Sequence, residues 1–188
     1  MEKQSLAPQR GFFPQPVYLI GTWKKDGAPN FALVTWITFC SVDPPMLMFA
    51  SRGTKLTREL VKKNRVFSAN LVTTPMLHMA DYFGTHSGYN SDKCREIQAA
   101  FVRGALLDVP VLESSPWVYE CELTDMRESG DGCIYIGTVR NILADRALND
   151  TAYTKIDMGV LDPLIYVPGR YYRLSGEIGE VGCSQIRP

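Results

Sequence analysis

An Asp-Gly pair set between two β-prone runs constrains this chain more than any other feature. Val17-Tyr18-Leu19-Ile20-Gly21-Thr22-Trp23 and Asn30-Phe31-Ala32-Leu33-Val34-Thr35-Trp36 are dense in β-branched and aromatic residues, with Lys24-Lys25-Asp26-Gly27 nearly filling the gap between them. This pattern predicts an antiparallel hairpin, because Asp-Gly supplies the backbone angles a tight reversal needs. The second strand can extend to Phe39. Pro44-Pro45 then breaks the chain, and Met46 to Ala50 makes a third strand.

Further along, Val66 to Leu71 alternates as a half-buried strand should. Strands are expected again at about 101–107, 117–127 and 133–144, the last two joined tightly by Gly130-Asp131-Gly132. Helical patterns cover about 55–63 and the stretch from Thr74-Pro75 to Phe83, where Thr74 is the expected N-cap. Ser91-Asp92 opens a short helix reaching about Ile97. The first dozen residues are polar and expected to run over the surface, while Leu164-Ile165-Tyr166 and Arg170 to Leu174 read as extended segments covering the core. Hairpins outnumber helices and no βαβα alternation occurs. The expectation is a mainly β fold, one domain over residues 1–188, built as a closed or nearly closed antiparallel β-barrel with helical insertions.

Charge and cysteine usage narrow the function classes. Twenty basic and twenty acidic residues cancel, so no global field favours nucleic acid or an anionic membrane. No apolar h-region opens the chain and no apolar run approaches a membrane span. Five widely spaced cysteines without C-x-x-C read as free thiols in a reducing compartment, which implies a cytoplasmic protein. The two histidines, His78 and His86, have no companion ligand cluster, so neither a metal site nor a catalytic triad is expected.

Four polar features stand out. Ser51-Arg52-Gly53-Thr54-Lys55-Leu56-Thr57 gathers hydroxyls and cations where a helix begins, an arrangement suited to an anion because free amides and the helix dipole favour negative charge there. The same residues also fit an ordinary surface helix with Thr54 as N-cap. From Asn30 to Ser41, Thr35, Trp36 and Thr38 set hydroxyls beside aromatic rings, which suits a flat heteroaromatic ligand or a strand with Thr on its outer face. Asn70 lies in an apolar strand and must bond either backbone or ligand. Ser87-Gly88-Tyr89-Asn90-Ser91-Asp92-Lys93 is a polar loop that is either a binding loop or an ordinary connection.

In order and spacing, these segments resemble the flavin reductase-like family, the FMN-binding split barrels that include flavoredoxins. The resemblance runs through Pro16 to Thr22, Asp26 to Asn30, Cys40 to Met46, the Thr54 to Lys63 helix, Phe67 to Leu71 and Ala80 to Gly84. It continues through Ser87-Gly88 with Asp92-Lys93, then Tyr135 to Val139 and Pro163 to Tyr166. Each piece is short; together they cover nearly the whole chain.

The resemblance implies a six-stranded antiparallel Greek-key split barrel and one noncovalent FMN per subunit near a homodimer interface, with FAD the less expected flavin. Asn30 to Ser41 would border the flavin ring, Thr35 and Trp36 being the main contacts beside Asn30, Ile37 and Thr38. Ser51, Arg52, Thr54 and Thr57 would hold the phosphate. Asn70 would sit near the ring or ribityl chain, and Ser87 with Lys93 would approach from the loop side. NAD(P)H is the implied electron donor, passing electrons through the flavin to free flavin or an acceptor protein, with no catalytic side chain needed. Two other readings stay open: a flavin- or haem-binding carrier, store or sensor without NAD(P)H turnover, and a β-barrel with no cofactor. Trp36-Ile37-Thr38-Phe39 is bulkier than the small, glycine-containing run of similar proteins.

Overall fold

The computed structural model describes residues 3–149 and 155–185. Met1 and Glu2 lie outside it. From residue 3 to 14 the chain is irregular and exposed, as expected of the polar start.

The strands, in chain order, are β1 (Gln15–Pro16), β2 (Tyr18–Trp23), β3 (Pro29–Val34), β4 (Ile37–Ser41), β5 (Met46–Arg52), β6 (Val66–Leu71), β7 (Phe101–Arg103), β8 (Pro110–Leu112), β9 (Trp117–Ser129), β10 (Gly132–Ala144), β11 (Ile165–Val167) and β12 (Arg170–Tyr172). The helices are α1 (Leu56–Asn64), α2 (Leu77–Thr85), α3 (Lys93–Glu96), α4 (Arg146–Asn149) and α5 (Met158–Leu161). One antiparallel sheet of seven strands, ordered β3-β2-β6-β9-β10-β5-β4, forms the body of the molecule. The fold is therefore mainly β and of the split-barrel kind, with one strand more than expected.

The extra strand comes from a break inside the anticipated run from Asn30 to Phe39. β3 stops at Val34, and after Thr35-Trp36 the chain starts again as β4 on the opposite edge of the sheet. Two residues thus carry the backbone from one free edge to the other. The expected strand at 101–107 is also shorter; β7 leaves the main sheet and pairs with β8 alone.

β2 and β6 bury both faces. Successive strand residues point to opposite sides, and Ile20 joins Leu47, Phe49, Val61 and Phe67 inside the barrel, whereas Val17 and Leu19 pack outside against Phe83 of α2 and Leu112. The half-buried pattern expected of β6 is accordingly replaced by an almost continuously buried strand. Its polar residues lie on the second face and are satisfied there: Ser68 Oγ donates to the Pro110 carbonyl, 2.5 Å. Inside the barrel the Phe49 ring stacks on Tyr135 at 4.8 Å and meets the edge of Phe67 at 5.2 Å.

α1 follows β5 through Gly53-Thr54-Lys55. Thr57, Leu60 and Val61 form its buried stripe, and Arg65 ends it in the left-handed conformation, its N–H donating to Val61 O. The expected Thr54 cap is not made. Lys55 occupies the N-cap position and no side chain caps the helix; Arg58 N donates to the Lys55 carbonyl at 3.0 Å, and the amides of Leu56 and Thr57 stay available among the described residues. Thr73, not Thr74, precedes the 3₁₀ turn that leads into α2, because Thr74 Oγ1 turns to the Asp162 carboxylate, 3.0 Å. Asp92 caps α3 as expected, accepting from Arg95 N.

Glu120 of β9 is completely buried opposite Ser68 in the β6–β9 register. Its carboxylate accepts from three consecutive backbone amides, Ala105 at 2.6 Å and Leu106 and Leu107 at 2.8 Å. Charge-assisted bonds of this kind replace the water lost on burial. Glu120→Gln keeps the shape but turns an NH2 towards those donors. The expected loss is about 2–3 kcal/mol, read from the urea midpoint at constant slope; an unchanged midpoint would contradict this role for the carboxylate.

Candidate functional site

The cleft that gathers most of the anticipated residues opens between the free edge of β3, the N-terminus of α1 and the loop after α2. Asn30, Ser51, Thr54, Thr57, Ser87 and Lys93 all line it, and its volume is about 160 Å³. Lys55 and His86 line it too, and no carboxylate does. In a chain of zero net charge, a wall of hydroxyls and cations without an acid is a local electropositive site.

Asn30 holds the centre. It is 2% exposed, its Nδ2 donates to Thr57 Oγ1 at 2.8 Å, and its Oδ1 has no partner among the described residues. A buried acceptor without a donor costs about 1–3 kcal/mol. The loop closes directly on this carboxamide at Gly88, where any Cβ would collide with Oδ1. Tyr89, next along, donates its hydroxyl to Glu59 on α1 and so pins the loop to the helix.

Lys93 supplies a cation from the far wall. Its side chain is buried, Nζ donates to the Phe83 carbonyl at 3.0 Å and lies 5.4 Å from the centre of the Phe83 ring. No carboxylate pairs with it in the described residues. Burial pushes its pKa down to about 8, and the charges of Lys24 and Lys55 act in the same direction.

A second cavity, of about 460 Å³, shares Phe49 with the first. Thr35, Trp36, Ile37 and Thr38 line it from the crossing between β3 and β4, facing Phe13 and Met48. Trp36 is 40% exposed. Its carbonyl accepts from Ala50 N at 2.8 Å, which fixes the crossing against β5.

Two anticipated residues lie elsewhere. Arg52 does not line the cleft: its guanidinium binds Asp131 through Nε and an NH2 group, 2.8 and 2.5 Å, and sits over the Trp36 ring at 5.9 Å. β5 turns the Arg52 side chain towards the β9–β10 turn, so the cation nearest the helix start is Lys55 instead. Asn70 is also absent from the lining. Its Nδ2 donates to Leu19 O and Ser68 Oγ while its Oδ1 accepts from Leu112 N, all within 2.8–2.9 Å. Of the two alternatives, backbone or ligand, the described residues provide the first, together with the Ser68 hydroxyl.

Lys55, His86 and Gly88 were not among the anticipated ligands. Lys55 stood in the same motif and could have been found there; the contribution of Gly88 depends on a loop path that its sequence does not encode. Cys40 is exposed and stands outside both cavities.

Residues 10–175 match the family model described as flavin reductase like domain. The fold superposes on flavoredoxin of Desulfovibrio vulgaris (Miyazaki F) with a TM-score of 0.88 at 25% identity, over 98% of this chain and 100% of that one. It also superposes on an FMN-binding protein from Thermus thermophilus with bound p-hydroxybenzaldehyde, TM-score 0.79 at 27% identity, over 96% and 99% of the two chains. An uncharacterized protein of Aeropyrum pernix is 26% identical over 174 residues, 89% of this chain; the chain spans 65% of that relative's length.

The Lys93 geometry makes a prediction about pH. Between about 8 and its unperturbed value of 10.5, the folded state binds fewer protons than the unfolded one, so ligand-free stability should rise with pH across that window. Anion affinity should move the opposite way, falling as Lys93 loses its proton. Lys93→Met should abolish both trends, as read by melting curves and inorganic phosphate titrations from pH 6.5 to 10. Persistence of either trend in the variant would assign it to another group.

Proposed function

The chain belongs to the flavin reductase-like family, and on that premise we propose that it is an FMN-dependent oxidoreductase drawing electrons from NAD(P)H. The observation that carries this reading is the cleft around Asn30: an acceptor without a partner, an uncapped helix start and two lysines with no acid between them. These groups fit a phosphorylated polyol. The amides of α1, with Ser51, Thr54, Lys55 and Thr57, would take the phosphate. Asn30 Oδ1 would accept from a hydroxyl of the ribityl chain. Lys93 would neutralise charge from the other side, and Ser87 would close the loop wall.

The adjoining segment Thr35 to Thr38 would border the flavin ring. When bound, the flavin supplies the hydride and electron chemistry; the residues named here would position it. Backbone N–H groups of the crossing, whose path is held by the Trp36–Ala50 bond, would favour negative charge on the ring's polar edge. No side-chain acid or base is required of this chain for hydride transfer.

Phe12, Phe13, Phe39 and Val42 are all exposed, the first two in the segment before β1 and the other two in β4 and the turn after it. A second copy covering them would shield the ring, so the working form is proposed to be a homodimer. Buried thiols fit a reducing compartment: Cys94 is pushed up to about 11 by burial.

Two measurements test the reading. FMN should bind more tightly than riboflavin, and Lys55→Met should remove about 1.5–3 kcal/mol from FMN alone, the worth of a charge-assisted contact. Arg52→Ala should leave the FMN-to-riboflavin ratio unchanged; a selective loss for FMN would return Arg52 to the phosphate. Anaerobic NADH or NADPH should then bleach the visible band of the bound flavin. A flavin that stays yellow with both nucleotides, yet bleaches with a reduced protein, would make the chain an electron carrier.

A further inference from the structure

Gln15 is the one buried polar side chain at the second cavity whose bonding is unfinished. It belongs to β1, pairs with Tyr166 of β11 through the backbone, and is 5% exposed. Its Oε1 has no hydrogen-bond partner, and no side-chain bond to Gln15 occurs among the described residues. Its position is as informative as its isolation. Gln15, Thr35 and Trp36 line both the apolar chamber of about 460 Å³ and a polar cleft of about 500 Å³ that carries Arg10 and Tyr166. Gln15 therefore stands at the seam between an aromatic slot and a polar opening that carries Arg10.

We propose that Gln15 is a specificity-determining residue that reads an amide-type edge, an N–H beside a C=O, on a planar ring seated in the apolar chamber. The chemistry selects that edge over others. A carboxamide offers one acceptor and one donor side by side, and an amide or imide returns the complementary pair. A carboxylate ligand has no proton to give to Oε1 and would set oxygen against oxygen. A bare hydrocarbon ring would fit the walls formed by Phe13, Ile37 and Met48 but leave the acceptor unmet, at the usual cost of a buried unsatisfied group. The chamber's size falls within the roughly 300–1,000 Å³ typical of small-molecule sites.

Two sources could present such an edge: the imide of the flavin ring itself, or the carboxamide of a separate aromatic substrate. The first rests on the function proposed above; the second does not. The test compares wild type with Gln15→Leu, which keeps the volume and removes both polar ends, and with Gln15→Glu, which keeps an acceptor and loses the donor. Riboflavin and 3-methylriboflavin, whose imide N–H is blocked, form one arm. Benzamide, benzoate and toluene form the other, titrated into flavin-free and FMN-saturated protein.

Gln15→Leu should weaken riboflavin roughly tenfold while leaving 3-methylriboflavin unchanged if the flavin imide is read, or weaken benzamide roughly tenfold against toluene in FMN-saturated protein if a separate ring is read. In either case Gln15→Glu should weaken the amide ligand as well, and benzoate should bind no better than toluene to wild type. Melting temperature controls for folding, and Gln15→Leu should not lower it because the variant removes an orphaned acceptor. If riboflavin and benzamide both respond to Gln15→Leu no more than their blocked or apolar counterparts, the assignment fails. Absence of any flavin binding by wild type would instead overturn the proposed function, while benzamide in flavin-free protein would still report on Gln15.

Discussion

The structure depends on a two-residue crossing. β3 and β4 are the two free edges of one sheet, and Thr35-Trp36 joins them without hydrogen bonds between the strands themselves. A sheet that curls this far would ordinarily close, because unpaired edge groups invite pairing with other chains. Here closure is made by covalent continuity at one point and by side-chain packing elsewhere. Phe49, stacked on Tyr135 and edge-on to Phe67, fills the interior beneath the gap. The gap itself becomes the place where both cavities open, so the fold's incomplete pairing and its candidate site have one origin.

From that point the sheet acquires two cores. The inner face holds the aromatic stack, and the outer face of β2 and β6 is sealed by α2, α3 and the segment carrying β8. Polar residues on that outer face are not errors of patterning. Ser68, Asn70 and Glu120 serve the loop from 104 to 109 and the ends of β8 that follow it, taking the amides of Ala105, Leu106, Leu107 and Leu112 and the carbonyl of Pro110. Three side chains from the sheet thus satisfy the backbone of a segment whose Val109, Val111 and Leu112 are themselves buried in the cores.

Much of this was legible in the chain. The Asp26-Gly27 hairpin, the bounds of β6 and the Gly130 to Gly132 connection follow from local turn chemistry and alternation, and the structure keeps them. The split of the Asn30–Phe39 run was not legible, because both halves have β-prone composition and only tertiary pairing decides which edge each joins. Asn70 shows the same limit: sequence says that a buried amide must be satisfied, not whether backbone or ligand does it. Arg52 was misplaced for a different reason. Its competitor, Asp131, is far away in sequence and is brought near by the β5–β10 register. Lys55 took its place at the cleft through nothing more than the direction in which the turn into α1 points.

The unfinished bonding around Asn30 has a consequence for the lifetime of the protein. An uncapped helix, an acceptor without a donor and an ammonium without a counterion are all costs carried by the folded chain and absent from the unfolded one. Whatever completes them draws the equilibrium towards the native state by mass action. Because the population of opened molecules governs proteolytic turnover, the amount of this protein in a cell should track the supply of the ligand proposed for this cleft. A shortage of ligand would then thin the protein itself, without any dedicated regulator.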